Sequence, residues 1–70
     1  MIELSVIVAV YNEDPRNLAN VIERLDQIIT PTGTSYEIIF VNDGSRPPAT
    51  MALRQLAADN DKVKLVELSR

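Results

Sequence analysis

The feature that most narrows the fold of this chain is the switching of its hydrophobic period. Leu4, Val6, Ile7, Val8 and Val10 form a nearly unbroken, mostly β-branched run, which suits a parallel strand buried on both faces better than a half-exposed antiparallel one. The apolar positions then become Leu18, Val21, Ile22, Leu25, Ile28 and Ile29, the spacing of one helical face. Asp14 is placed to cap that helix and Pro15 sits at its first position, so it is predicted from about Pro15 to Ile29. Thr30 to Ser35 holds a proline and a glycine among hydroxyl residues and reads as an exposed return loop. Tyr36 to Val41 is the second strand. Ala49, Ala52, Leu53, Leu56 and Ala57 restore the helical spacing, with Pro47 and Pro48 in a first turn where a missing amide hydrogen costs little. This helix should stop near Asp59-Asn60-Asp61, and Val63 to Leu68 is a third short strand.

Strand, helix, strand, helix, strand is the pattern of an α/β fold. It predicts a Rossmann-like, three-layer βαβαβ unit with parallel strands, and right-handed crossovers winding the same way give the strand order 3-2-1. The first strand then lies at an edge, and SVIVAVY carries no charge to protect it. We expect this edge to be met by a further strand, which makes residues 1 to 70 a single partial domain, the first half of a larger sheet. Pairing with another copy of the chain is the alternative. At 70 residues and 46% hydrophobic content, one small domain is the ceiling, because chains of this size bury only roughly 60% of their unfolded surface.

In open parallel sheets, ligands bind outside the carboxyl ends of the strands. Two polar clusters fall there, Tyr11-Asn12-Glu13 after the first strand and Asn42-Asp43-Gly44-Ser45 after the second, and neighbouring strands should bring them into one crevice. Neither a G-x-G-x-x-G nor a lysine-bearing phosphate loop is present. Histidine and cysteine are absent, which removes the usual neutral-pH base, a thiolate nucleophile, disulfides and the usual zinc ligands. The net charge of −3 gives no footprint for nucleic acid. What remains suits a nucleobase: a carboxylate at a strand end can accept from the ring N–H of uracil or guanine, and a tyrosine can pack on the base. The longest apolar run is too short to cross a bilayer, and Glu3 stands where a signal peptide carries positive charge, so a cytoplasmic location is expected.

LSVIVAVYNE and YEIIFVNDGS together resemble the amino-terminal signature of family 2 glycosyltransferases, and LVELSR resembles the third strand of the same fold. The resemblance covers essentially the whole chain. It implies the first half of a GT-A nucleotide-sugar-binding domain, most similar to enzymes that pass a hexose, with inversion, from a UDP- or GDP-linked sugar to a polyprenyl phosphate such as bactoprenol or dolichol phosphate. It further implies that Ala9, Tyr11 and Glu13 after the first strand, and Val41 and Asp43 at the second, bind the nucleotide sugar, with Asp43 on the base. Ala9 stands where the family usually has proline, and Arg46-Pro47-Pro48 replaces the more common threonine or proline followed by an acid. A divalent metal, Mg or Mn, is implied through an Asp-x-Asp motif beyond the next helix and strand, and no motif so placed occurs in these residues. No catalytic residue and no metal ligand is therefore assigned. The chain is expected to be inactive alone, because the charge developing on the leaving diphosphate would go uncompensated. The parent protein is expected to reach its membrane through segments outside these residues.

Plainer readings stand beside these. Tyr11-Asn12-Glu13 can end a strand and help cap a helix, Asn42-Asp43-Gly44-Ser45 has turn composition with Ser45 suited to a helix cap, and Glu23, Arg24, Asp26 and Arg54 read as solvated faces. A small, non-catalytic α/β interaction module that associates through its first strand is the alternative function.

Overall fold

The computed structural model describes residues 1–68. Its elements are β1 (Leu4–Val10), α1 (Pro15–Ile29), a 3-10 turn (Thr30–Thr32), β2 (Tyr36–Asn42), α2 (Pro47–Asp59) and β3 (Val63–Glu67). The three strands are all parallel, in the order β1-β2-β3, which is the expected 3-2-1 counted from the other edge. Asp14 caps α1, its carboxylate accepting from the Arg16 N–H at 2.8 Å, and Pro15 opens the helix as expected. The third strand closes at Glu67 rather than Leu68, although the Leu68 N–H still donates to the Asn42 carbonyl at 3.0 Å. Ser69 and Arg70, the end of the LVELSR stretch, lie outside the described residues.

Strand parity decides what is buried. Tyr36, Ile38, Phe40 and Asn42 of β2 alternate as buried residues with half-buried Glu37, Ile39 and Val41. Val10 of β1 and Val63 of β3 point to the same side as the buried set, where Leu18 and Ile29 of α1 and Leu53 of α2 complete one hydrophobic cluster. Both helices therefore pack on one face of the sheet, as two successive right-handed crossovers in one direction require. Phe40, Leu18, Ile38 and Leu53 are the largest fully buried side chains, each contributing about 1.5–3 kcal/mol in removal from water.

The opposite face carries no covering element among the described residues. Ile7, Ile39 and Lys64 lie in register across it, followed by Ala9, Val41 and Val66, and Ile7 is 69% exposed. Of the three expected layers, the sheet and one helical layer are described. β1, read as buried on both faces, is covered by the described residues on one, where Val10 is buried and Val6 and Val8 are half-buried. Ile28 is likewise exposed: at 100° per residue it lies about 80° from Leu18, at the rim of the helical stripe.

Two polar clusters tie the layers together. The Asp26 carboxylate accepts from the Tyr36 hydroxyl at 2.7 Å and the Thr30 hydroxyl at 2.8 Å, while the Lys62 ammonium lies 3.7 Å from it and 4.4 Å from the Tyr36 ring centroid. Arg54 of α2 donates to both carboxylate oxygens of Glu67 at 2.7 and 3.0 Å. Asp26 and Arg54, read from sequence as solvated, are exposed but join separate elements. The Tyr36 hydrogen bond, with that from Thr30, holds the Asp26 carboxyl below its ordinary range. Burial, then the Asp26 contact, pushes the Tyr36 hydroxyl up.

Candidate functional site

The two strand-end clusters meet. The register pairs Ala9 with Val41 and Val10 with Asn42, and the ladder continues one step further, the Asp43 N–H donating to the Val10 carbonyl at 2.9 Å. That bond brings the Asp43 backbone beside the end of β1, one residue before Tyr11. Beyond it the chain after β1 turns through Asn12, at φ 51°, the only residue other than glycine in the left-handed region among the described residues. Asparagine tolerates this conformation better than most residues. The Asn12 N–H donates to the Ser45 hydroxyl oxygen at 2.9 Å and its side-chain oxygen accepts from the Arg46 N–H at 2.7 Å.

Behind this junction, Asn42 is 4% exposed, and a buried amide must be satisfied on both sides. Its oxygen accepts from the Ser45 N–H at 3.1 Å and its amide donates to the Thr50 hydroxyl at 2.9 Å. The Thr50 hydroxyl in turn donates to the Ser45 carbonyl at 3.2 Å. No buried side-chain polar atom lacks a partner among the described residues.

A depression of about 360 Å³ opens between the amino ends of α1 and α2, lined by Asn12, Glu13, Asp14, Pro15, Arg46, Pro48 and Ala49. The predicted site residues divide around it. Glu13 lines it and accepts from the Asn17 amide at 2.7 Å, which also serves the first turn of α1. Ala9 and Val41 sit side by side on the uncovered face of the sheet, and Tyr11 is an exposed ring, 64% accessible, at the end of β1. Asp14 is held below the usual carboxylate range by its hydrogen bonds from Arg16, so that pair is already matched. The crevice thus offers carboxylates, an aromatic face and backbone groups at the carboxyl edge of a parallel sheet. Among the described residues at this edge there is no histidine, cysteine or lysine to act as an activated nucleophile.

Sequence reasoning put Asn12 in the crevice without giving it a role, and misplaced Ser45. The N-cap of α2 is Arg46, which makes no side-chain capping bond, and the Ser45 hydroxyl instead accepts from Asn12. The signal was present in Asn12, a residue type suited to left-handed backbone directly after a strand, but its partner lies 33 residues away. A second depression, of about 400 Å³, lies at the amino ends of the strands, where Asp26, Tyr36 and Lys62 satisfy one another. Asp59-Asn60-Asp61 has Asp-x-Asp spacing, yet it precedes β3 and so lies a strand length, about 15 Å, from the crevice. Asp59 accepts from Gln55 at 3.0 Å. Among the described residues no group of three or more Asp, Glu, His or Cys is arranged to hold a metal ion.

Open parallel α/β sheets take ligands at the carboxyl ends of their strands, and the two polar clusters of this chain are joined there. Within that class the assignment is specific: residues 5–70 match the family described as "Glycosyl transferase family 2", and the chain belongs to that family. It is 42% identical over 69 residues to "Uncharacterized glycosyltransferase sll0501" of Synechocystis sp. and 35% identical over 69 residues to "Uncharacterized glycosyltransferase YkcC" of Bacillus subtilis. Each match covers 99% of this chain and 21% of the relative. No helix among the described residues is long and apolar enough to cross a membrane.

Proposed function

We propose that this chain is the nucleotide-sugar-binding portion of an inverting glycosyltransferase that moves a hexose from a UDP- or GDP-linked donor to a polyprenyl phosphate or another acceptor. The observation that carries the reading is the junction of the two strand ends, where the Asp43 N–H bonds the Val10 carbonyl and Asn12 bonds Ser45 and Arg46, in a chain of family 2. Asp43 accepts from the ring N–H of the base, Tyr11 packs on the base, and Ala9, Val41 and Glu13 complete the nucleotide-sugar site. A carboxylate–amide contact of this kind contributes about 1.5–3 kcal/mol.

The transfer itself belongs to residues outside this chain, together with the Mg or Mn ion that offsets the charge of the leaving diphosphate. A lipid phosphate acceptor is already anionic, so the reaction has little need of a strong general base. The nucleotide half works in the cytoplasm and meets a membrane acceptor through segments beyond these residues.

Calorimetric titration of the chain with UDP, UDP-glucose and GDP-mannose tests the reading. Asp43→Ala should weaken the nucleotide that binds by about 10- to 150-fold, and an unchanged affinity would remove Asp43 from the site. A second reading, self-association through β1, draws on exposed Ile7 and the edge position of that strand. It predicts a dimer in sedimentation equilibrium, and a monomer at high concentration counts against it.

A further inference from the structure

We propose that Asn12 is a positioning residue whose two bonds to the turn before α2 set the spacing between Tyr11 and Asp43, the two groups between which the base is held; this rests on the nucleotide-binding reading above.

Helix α2 begins without a cap of its own. Arg46 at the N-cap makes no side-chain bond to the helix, and Ala49 at the third helical position has no side chain that could reach back to the N-cap N–H, as a glutamate there can in a capping box. Asn12, from the turn after β1, supplies that acceptor across the site. Its own N–H is satisfied in return by the Ser45 hydroxyl. The exchange is reciprocal and joins residues 33 and 34 apart in sequence.

Both bonds are made with the Asn12 backbone in the left-handed region, at φ 51°. That conformation turns its N–H and its side-chain oxygen toward the same partner segment. The junction is also backed on its far side, because the Ser45 N–H and carbonyl are held by buried Asn42 and by Thr50. Asn12 is therefore tied to a turn that is itself rigid. Tyr11 and Glu13 flank Asn12, while Asp43 and Gly44 lead into Ser45. Loss of the junction frees the two turns relative to each other while the sheet and core remain, so it lowers ligand affinity through preorganisation rather than through a lost ligand contact.

The variants separate backbone from side chain. Asn12→Gly keeps access to positive φ and removes the acceptor, whereas Asn12→Asp keeps both. Ser45→Ala removes the second bond, and Ser45→Thr keeps a hydroxyl. Each is titrated with UDP and GDP by calorimetry well below its unfolding temperature, with amide hydrogen exchange followed at Arg46. Asn12→Gly and Ser45→Ala should bind about tenfold more weakly, with Asn12→Asp and Ser45→Thr within about twofold of the unaltered chain. Exchange at the Arg46 amide should quicken in Asn12→Gly alone of the two Asn12 variants. A purely structural role would lower the unfolding midpoint and leave the affinity of folded protein unchanged, which overturns the proposal. If Asn12→Gly does not fold, Ser45→Ala decides by the same affinity criterion. Should the unaltered chain bind neither nucleotide, the nucleotide reading fails and this inference with it. Should it bind and both junction variants match it, only this inference fails.

Discussion

Ile7 and Ile38 are the same residue type on adjacent strands, and the structure assigns them opposite fates. Ile38 is fully buried between the sheet and both helices, while Ile7 is 69% exposed on the uncovered face. Full burial of an isoleucine side chain is worth about 1.5–3 kcal/mol, so the third of its surface that Ile7 hides contributes only about 0.5–1 kcal/mol. Truncation at Ile38 adds a cavity to the transfer loss, and Ile→Ala in a core costs about 2–5 kcal/mol. A folded chain of this length has a total stability of about 3.5–10 kcal/mol, so Ile38→Ala approaches the limit of folding. Ile38→Val, at about 0.5–1.5 kcal/mol, provides a measurable companion to Ile7→Val, expected at about 0.3 kcal/mol from a third of one methylene. Urea unfolding followed by far-UV circular dichroism, with all four variants at one protein concentration, reads these differences directly. If Ile7→Ala costs as much as Ile38→Ala, the second face of the sheet is covered in solution and the one-sided core is refuted. Repeating the pair at tenfold higher concentration shows whether a second copy is the cover, since the cost at Ile7 then rises with concentration.

Two further expectations concern charge and backbone. Asp26, Asp14 and Glu67 all have carboxyls held below their ordinary range, chiefly by hydrogen bonds from Tyr36, Arg16 and Arg54 respectively. Their stabilisation is present above the unfolded-state values and is lost as pH falls through the lower folded ones. Stability should hold between about pH 7 and 5 and decline below about pH 4. Asp26→Asn should make that decline shallower in urea titrations, and an unchanged slope would mean the Tyr36 and Thr30 bonds contribute nothing in solution. Gly33 adopts φ 74°, and a Cβ added there would meet nothing within 4 Å, so Gly33→Ala carries only the conformational penalty of about 1–2 kcal/mol. Gly33→Asn should recover much of it, and equal midpoints for Ala and Gly in thermal unfolding would contradict the left-handed turn.

Legibility differed by the range of the interaction. β1, α1 and the proline start of α2 were readable to the residue, since each rests on local signals: β-branched runs, Asp14-Pro15, Pro47-Pro48 and the helical spacing of Leu18 through Ile29. Strand order followed from right-handed crossovers together with both units winding in one direction. Ser45 was misread as a cap because its composition fits a helix start, while the group that bonds it comes from the end of another strand. Asp26 and Arg54 looked like surface charges because Tyr36, Lys62 and Glu67 lie on other elements.

The sequence by itself determined a parallel βαβαβ unit with polar clusters at neighbouring strand ends, because hydrophobic period, proline placement and crossover handedness are properties of the chain read in order. Only the tertiary structure decided that the described residues cover one face of the sheet and that Asn12 bonds the turn before α2. Burial depends on which neighbours arrive, and a hydrogen bond between residues 33 apart exists only after the strands have paired.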